Sequence, residues 1–343
     1  LTGCYPNRIG LSGAPFPGSN TGISNSEITI ADMLKQNGYK CAALGKWHLG
    51  DHQKFLPLQH GFDEFYGIPY SNDMWPNHPT LDFPDLPLFE GNKIIEYNPD
   101  QTQFTKNFTS RAISFISKNK DNPFFLYLAH PMPHVPLFVS DDFKGKSEQG
   151  LYGDVMMELD WSIGKIFNTL KELGIDDNTV LIVTSDNGPW LNYGNHAGST
   201  AGLREGKGVS FEGGQRVPCI AYWKGHTPQG QICNKLISGI DILATFADIA
   251  SVPMPTLKTD GISFVPYLNG DYTNPGEVDE WHELTDTLLY DLRRDPGERY
   301  NVYKEYPAIV EQLNKYADSV KADLGDNLSK TPGNGCRQPG KVD

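Results

Sequence analysis

Residues 29–50 read TIADMLKQNGYKCAALGKWHLG, and this stretch decides the fold. Thr29 is a suitable N-cap for a helix that runs to Gln36, because its hydroxyl can accept from the first free amide groups. Apolar residues recur on one side of that helix, and Gly38 can end it. Cys41 to Leu44 then has the pattern of a short buried strand. The stretch predicts a helix followed by a strand, the repeating unit of an α/β protein.

The same alternation recurs along the chain. The further predicted elements are a helix near 105–117, a strand at 124–129, a helix near 153–173, a strand at 179–184, a strand at 219–223 and a helix near 240–250. Helices that alternate with apolar strands favour a mostly parallel sheet covered by helices on both faces. We therefore expect an α/β fold.

A change in composition predicts a domain boundary near residue 272. Beyond Pro253 the chain becomes rich in proline, glycine and asparagine, up to Asn274-Pro275-Gly276. Such residues are typical of loops and linkers. We expect a catalytic domain at 1–272 and a C-terminal subdomain at 273–343, which contains a strand at 288–290 and a helix at 307–321.

Composition excludes several classes of partner. A chain of 343 residues with 38% hydrophobic residues is long and apolar enough for a large core. Its net charge of −13 argues against nucleic acid, which requires a sustained basic surface. No apolar run approaches the roughly 20 residues that span a bilayer, so no transmembrane segment is predicted.

Side chains that can do chemistry follow three of the predicted strands. Lys46 and His48 follow the first strand, His134 follows the strand at 124–129, and Asp186 with Asn187 follows the strand at 179–184. Open α/β sheets bind ligands beyond the carboxyl ends of their strands, so these loops are expected to meet at one edge. Carboxylate and amide oxygens suit Ca²⁺ or Mg²⁺.

The segment Cys4-Tyr5-Pro6-Asn7-Arg8 matches the pattern C-x-P-x-R. It resembles the signature of type I sulfatases, in which this cysteine is oxidised to formylglycine. The resemblance covers nearly the whole chain and is greatest to the arylsulfatase A and N-acetylgalactosamine-6-sulfatase branch. Its other motifs are GKWHLG at 45–50, GIPYS at 67–71, HVP at 134–136, SDNG at 185–188, GKG at 206–208, EGG at 212–214 and LYDL at 289–292.

This resemblance implies an alkaline-phosphatase-like fold and an enzyme that hydrolyses sulfate esters. One hydroxyl of a hydrated aldehyde at Cys4 attacks sulfur and displaces the alcohol, and the second then allows inorganic sulfate to leave. Arg8 is expected to steady the formylglycine. Pro6 suits the first turn of a helix, so Cys4 is expected at a helix N-terminus, which favours an anion.

The resemblance also implies roles for the residues around the sulfate. Lys46 and Lys207 would bind sulfate oxygens, and His48 would act as the base on the second hydroxyl. His134, with Lys207, would contact the sulfate near the leaving oxygen and help to protonate it. Ser71 matches a serine that hydrogen-bonds in this pocket. Imidazole suits such proton transfers because its ordinary pKa is near neutrality.

A divalent metal, Ca²⁺ or Mg²⁺, is implied at Asp186, Asn187 and the formylglycine of Cys4. The family also uses two aspartates on a strand before C-x-P-x-R, whereas Leu1-Thr2-Gly3 precedes Cys4 here. The predicted metal site is therefore incomplete, and the catalytic domain is expected to lack its N-terminal strand. The segment before the LYDL motif is also shorter than the family usually has, so the C-terminal subdomain is expected to be shortened.

Two other functions stay open at this level. A phosphate or phosphonate ester hydrolase of the same superfamily would use similar groups, because tetrahedral anions look alike to lysine, histidine and a metal. A catalytically silent binder of sulfated glycans would keep Cys4 as a thiol. For the sulfatase, we expect a sulfated small molecule or glycan as substrate and the formylglycine-generating enzyme as a maturation partner. We also expect export to a periplasmic, extracellular or lysosomal location.

Overall fold

Strands and helices alternate along the computed structural model, which describes residues 1–273, 288–327 and 329–342. The strands are β1 (Thr21–Gly22), β2 (Lys40–Lys46), β3 (Glu64–Ile68), β4 (Pro87–Glu90), β5 (Lys93–Tyr97), β6 (Phe124–Ala129), β7 (Val180–Thr184), β8 (Cys219–Trp223) and β9 (Gly340–Lys341). The α-helices are α1 (Ile30–Lys35), α2 (Phe104–Lys118), α3 (Gly150–Glu172), α4 (Glu212–Gln215), α5 (Asp241–Ile249), α6 (Val265–Leu268) and α7 (Pro307–Leu324).

A five-stranded sheet has the order β5-β4-β3-β2-β6. β2 is parallel to both β3 and β6, and its register places Gly45 beside Gly67 on one side and Ala129 on the other. β4 is antiparallel to β3 and to β5. The expected α/β sheet is confirmed in its parallel part, whereas the antiparallel edge of β4 and β5 was not predicted.

Helices cover both faces of β2. Cys41 and Ala43 belong to an apolar cluster that includes residues of α1 and α5. Leu44 packs instead with Ile116 of α2 and Ile166 of α3. Neighbouring side chains of a strand point to opposite faces, so this central strand is buried between two helical layers.

The capping residue of α1 is the one that the sequence predicts. Thr29 accepts a hydrogen bond from the Asp32 amide at 3.1 Å, and the Asp32 carboxylate accepts from the Thr29 amide at 3.0 Å. This reciprocal capping box satisfies two amide groups that the helix itself leaves unpaired. It places the start of α1, and the chain then enters β2 after Gly38.

The described residues form two compact units. Unit 1 contains Leu1–Val180, Trp223–Gly276 and Arg337–Asp343, and unit 2 contains Leu181–Tyr222 and Glu277–Cys336. The domain boundary near residue 272 remains a prediction.

The strand expected at 288–290 is wrong. These residues have no regular secondary structure. The Leu289 amide donates to the side chain of Asn301 at 3.0 Å, and the Leu289 carbonyl accepts from Val302 at 2.8 Å. The Leu289 amide therefore donates to a side chain instead of the backbone carbonyl of a neighbouring strand.

Disulfide bonds and membrane-spanning helices were both sought among the described residues. None of the five cysteines, all of which lie among the described residues, forms a disulfide; Cys4 and Cys41 are buried, and Cys219 and Cys233 are exposed. A search of the described residues for a helix long and apolar enough to cross a membrane found none.

Gly45 is required by the close approach of β2 to β6. Its φ is 99°, and a β-carbon at this position would collide with the carbonyl oxygen of Ala129. We expect Gly45→Ala to lower the free energy of unfolding by about 2–3 kcal/mol, measured by urea denaturation. The matched control is Gly164→Ala in α3, where a β-carbon meets no atom within 4 Å and the helix should gain about 1 kcal/mol. Equal stability of Gly45→Ala and the parent would contradict this account of the sheet.

Candidate active site

Cys4 lies in a buried turn with polar neighbours on several sides. Its side chain is 7% exposed. The sulfur lies 3.3 Å from the Thr2 carbonyl and 3.6 Å from the Lys258 carbonyl, and it accepts from Nη2 of Arg337 at 3.3 Å. A thiol has a single weak donor for two carbonyl acceptors. A hydrated aldehyde has two hydroxyl donors, so it can serve the Thr2 carbonyl and also the Lys258 carbonyl, which Nη1 of Arg337 already reaches at 2.9 Å.

The helix expected after Cys4 is present but short. It is a 3-10 helix of four residues, Pro6–Ile9, with Pro6 in its first turn, and it ends at Gly10 with φ 72°. A single turn of this kind has few aligned peptide dipoles. The expectation that a helix dipole favours an anion at Cys4 is therefore weakened, and side chains must supply most of the positive charge.

A buried ion pair holds the turn on both sides of Cys4. Arg8 is 1% exposed, and its guanidinium donates to both carboxylate oxygens of Asp260 at 2.6–2.8 Å. Asp260 also accepts from the Tyr5 amide at 3.0 Å, and its own amide donates to the Gly3 carbonyl at 2.7 Å. Arg8 thus steadies Cys4 through the backbone of its neighbours. Sequence reasoning missed Asp260, because it lies 252 residues from Arg8 in the chain.

Three parallel strands place a second group of side chains at one edge of the sheet. Lys46 ends β2 and His48 follows it, Ser71 and Asp73 follow β3, and His134 follows β6. The Asp73 carboxylate lies 3.8 Å from Nδ1 of His134. The charges of Lys46, Asp73 and His134 all act on the imidazole of His48. The expected meeting of the loops after β2 and β6 is thus observed, and Asp73 is an addition that the motifs did not contain.

Several polar atoms in these loops are buried without a hydrogen-bond partner among the described residues. They are Nε2 of His48, Oγ of Ser71 and an oxygen of Asp73. Buried polar groups in proteins are nearly always paired, so atoms left unpaired on neighbouring loops indicate a ligand site. Nδ1 of His134 lies 2.7 Å from the Val135 carbonyl, and this contact orients the ring. A hydroxyl, one imidazole nitrogen and one carboxylate oxygen are therefore available to a polar ligand.

His48 is held neutral at ordinary pH. Burial and, to a smaller extent, the cation of Lys46 lower its pKa from 6.5 to about 4, although the Pro15 carbonyl and the Asp73 carboxylate act in the opposite direction. A neutral imidazole can accept a proton, as a general base must. Its backbone φ of 60° is unusual for a residue with a β-carbon and is consistent with a functional constraint.

Unit 2 contains the other predicted site residues. Asp186 and Asn187 follow β7 after one intervening residue, and the side-chain Nδ2 of Asn187 donates to the Gly188 carbonyl at 3.0 Å. The Lys207 amide donates to the Pro189 carbonyl at 2.9 Å, and its ammonium lies 5.1 Å from the centre of the Trp190 ring. Within unit 2 the loop of Lys207 therefore borders the loop of Asp186 and Asn187.

The metal site can be tested against these donors. Asp186 and Asn187 supply a carboxylate and an amide oxygen, which fit Ca²⁺ or Mg²⁺ in type. Two donors fall short of the six to eight oxygens that Ca²⁺ takes. Among the described residues, no group of three or more histidine, cysteine, aspartate and glutamate side chains is placed to hold a metal ion. The protein ligands present thus fit the metal in kind and make only part of its shell.

Several known proteins are similar to this chain in sequence. Residues 1–252 match the family model described as Sulfatase. Arylsulfatase A of Bos taurus is 36% identical over 402 residues, which cover 97% of this chain and 78% of that protein. N-acetylgalactosamine-6-sulfatase of Homo sapiens is 37% identical over 387 residues, which cover 94% of this chain and 74% of that protein.

Solved structures share the fold. The structure of Ps i-CgsB in complex with k-i-k-neocarrahexaose has a TM-score of 0.82 at 27% identity and covers 97% of this chain and 83% of its own. A phosphonate monoester hydrolase from Silicibacter pomeroyi has a TM-score of 0.56 at 17% identity and covers 81% of this chain and 67% of its own. The second likeness concerns the fold alone.

Opposite charges beside His48 predict opposite shifts of its pKa. Asp73→Asn removes a carboxylate that raises the pKa, so the pKa of His48 should fall below about 4. Lys46→Met removes a cation that lowers it, so the pKa should rise toward 6.5. The measurement is an NMR titration of the His48 ring in each variant. Shifts in the same direction, or none in either variant, would show that these side chains do not surround His48 as described.

Proposed function

The chain belongs to the sulfatase family, and from that premise we propose that it hydrolyses sulfate esters with a nucleophile made from Cys4 and a divalent cation bound by Asp186 and Asn187. The observation that carries the proposal is the polar setting of Cys4, in which two carbonyls and one guanidinium surround a single buried sulfur. The family membership supports a sulfuric ester hydrolase. The nucleophile, the metal and the residue roles are the proposal.

Formylglycine derived from Cys4 supplies the geminal hydroxyls that attack sulfur and later release sulfate. The carbonyls of Thr2 and Lys258 accept hydrogen bonds from the hydroxyls and so orient the attacking oxygen, as their distances to the Cys4 sulfur support. The ion pair of Arg8 and Asp260 keeps the turn in place. Holding a nucleophile in one geometry removes part of the entropic barrier to attack.

The groups around the sulfate have separate tasks. Lys46 and Lys207 bind the sulfate oxygens, and Ser71 donates its otherwise unpaired hydroxyl to one of them. His48 accepts a proton at Nε2, which its lowered pKa leaves unprotonated above about pH 4. As the attacking hydroxyl bonds to sulfur, it loses its proton to solvent, the S–O bond to the alcohol breaks, and His134 gives a proton to the leaving oxygen. Together these groups move two protons and stabilise an anion.

Ca²⁺ or Mg²⁺ bound by Asp186, Asn187 and an oxygen derived from Cys4 would neutralise charge on the sulfate and the nucleophile. The carboxylate and the amide oxygen support this choice of cation, because hard ligands select hard ions. The rest of the ligand shell stays undefined.

A sulfated glycan is the substrate class that we propose. One relative is named for N-acetylgalactosamine 6-sulfate ester hydrolysis, and one structural neighbour is bound to a neocarrahexaose. We also propose a formylglycine-generating enzyme as maturation partner and an exported location, periplasmic, extracellular or lysosomal. These rest on the family membership.

The direct test compares ester substrates. Purified protein with Ca²⁺ should release sulfate from a sulfated monosaccharide at least 100-fold faster than phosphate from the matching phosphate ester. A faster phosphate or phosphonate reaction would favour the other hydrolase of the same fold. Binding of the sulfated sugar without turnover would favour the silent binder.

Substitutions of Cys4 test the nucleophile. Cys4→Ala should abolish turnover, and Cys4→Ser should release one equivalent of alcohol and stop as a sulfated enzyme, because one hydroxyl can attack but cannot then expel sulfate. Burst kinetics and intact mass measure this. The control is Cys219→Ser, an exposed thiol whose loss should leave turnover unchanged. Steady turnover by Cys4→Ser at the parent rate would rule the mechanism out.

Removal of the Asp186 carboxylate tests the metal. Asp186→Ala should weaken Ca²⁺ binding by at least about 10-fold, the smallest loss expected for a group in or near a metal's ligand shell. Isothermal titration calorimetry of the metal-free protein measures it. Asp177→Asn, an exposed carboxylate shortly before β7, is the matched control. The metal assignment fails if both variants bind Ca²⁺ like the parent.

A further inference from the structure

The end of the chain returns to the turn that carries Cys4. The Arg337 amide donates to the Arg8 carbonyl at 2.6 Å. A few residues later β9 pairs antiparallel with β1, and the Val342 amide donates to the Asn20 carbonyl at 3.0 Å. Backbone contacts at Arg337 and after it in the chain therefore hold Arg337 near Cys4, independently of what its side chain does.

The guanidinium of Arg337 uses each of its nitrogens. Nε and Nη2 each donate to one carboxylate oxygen of Glu27 at 2.7 Å, and Nη1 donates to the Lys258 carbonyl at 2.9 Å. Nη2 also lies 3.3 Å from the sulfur of Cys4. The side chain of Glu27 is 1% exposed and that of Arg337 is 21% exposed. A planar fork held by two-point contact to a buried carboxylate cannot easily rotate, so its N–H group stays aimed at Cys4.

We propose that Arg337 is a further catalytic residue, whose N–H donates to the oxygen that Cys4 contributes to the reaction. This inference rests on the proposed function and adds a residue to it. When a hydroxyl at Cys4 gives its proton to a base, the electron pair stays on the oxygen, and the nearby guanidinium stabilises that charge. A fixed donor in a site with little water costs no reorganisation at the moment of reaction.

Its ion pair with Glu27 determines whether Arg337 acts on the Cys4 oxygen through its net charge or through a directed hydrogen bond. The negative charge of Glu27 cancels most of the electrostatic field of Arg337 beyond its immediate neighbours. The guanidinium therefore acts mainly as an oriented hydrogen-bond donor to the atom that it contacts at Cys4. Lysine cannot replace it fully, because an ammonium lacks the fork that reaches Glu27, the Lys258 carbonyl and Cys4 together. The same geometry explains why the Lys258 carbonyl is shared by Arg337 and the Cys4 sulfur.

A purely structural role for Arg337 is the competing explanation, because its backbone also fastens the tail. The test therefore uses Arg337→Ala and Arg337→Lys, with Lys341→Ala as the control on the same tail. Lys341 is exposed and pairs with Thr21 through its backbone. Thermal melting and the mass of the Cys4 peptide check that each variant folds and is modified like the parent.

We expect kcat to fall by about 100-fold in Arg337→Ala, the loss typical of a single oriented donor, and less in Arg337→Lys. Added guanidinium ion should restore part of the Arg337→Ala rate, and Lys341→Ala should keep the parent rate. An unchanged kcat, a loss without rescue, or an equal loss in Lys341→Ala would each overturn the proposal. If Arg337→Ala does not fold, the Arg337→Lys variant decides on kcat alone: a loss supports the proposal and parent activity overturns it.

A second readout does not depend on the modified cysteine. In the Cys4→Ser background, we measure the rate at which the enzyme becomes sulfated by rapid-quench mass spectrometry. Adding Arg337→Lys should lower this rate by about the same factor by which Arg337→Lys alone lowers kcat. Equal rates with and without Arg337→Lys would overturn the inference and leave the proposed function standing. Absence of any sulfation in Cys4→Ser with Arg337 intact would count against the proposed function itself.

Discussion

The parallel pairing of β2 with β3 and β6 is the constraint on which unit 1 depends. It brings the carboxyl ends of three strands to one edge, so that residues separated by up to 88 positions in the chain, such as Lys46 and His134, belong to the same group of loops. The pairing requires close backbone approach at Gly45, where β2 meets Ala129 of β6. The two helical layers then bury both faces of β2 and keep this edge for polar loops.

Charge is arranged differently around the two groups of site residues in unit 1. Around Cys4 the cations are paired: Arg8 with Asp260, and Arg337 with Glu27. Such buried pairs contribute order more than net stability, because the cost of desolvation offsets much of their attraction. In the loops around His48, three buried atoms are instead left unpaired among the described residues, which is costly unless a ligand completes them: Nε2 of His48, Oγ of Ser71 and an oxygen of Asp73. The ion pairs therefore fix the surroundings of Cys4, whereas the polar atoms near His48 stay available to a ligand.

Much of the architecture follows from the apolar pattern of the sequence. The helix of residues 30–35, the strand β6 and the strand β8 lie where periodicity predicts them. β3 was missed because only short 3-10 helices lie between it and β2, and β5 was missed because its residues are all exposed and carry no buried face. A strand that forms mainly because it pairs with neighbouring strands has little of the apolar pattern by which a strand is predicted from sequence.

The site residues also include some that the sequence predicts and some that it does not. The sequence predicts a set of site residues because each lies in a motif that resembles the family's or follows a predicted strand: Cys4, Arg8, Lys46, His48, Ser71, His134, Asp186, Asn187 and Lys207. Asp73, Asp260 and Arg337 were not predicted. The partners of Asp260 and Arg337 are 252 and 333 residues away, so only the folded chain brings them together.

The central claim is that Cys4 is converted into the nucleophile of a sulfate ester hydrolase. Mass spectrometry of the peptide that contains Cys4, from active enzyme, tests it most directly. The account predicts a residue lighter than cysteine that reacts with a hydrazine as an aldehyde does, in proportion to the sulfatase activity of each preparation. An unmodified thiol in a preparation that hydrolyses sulfate esters at full rate would contradict it.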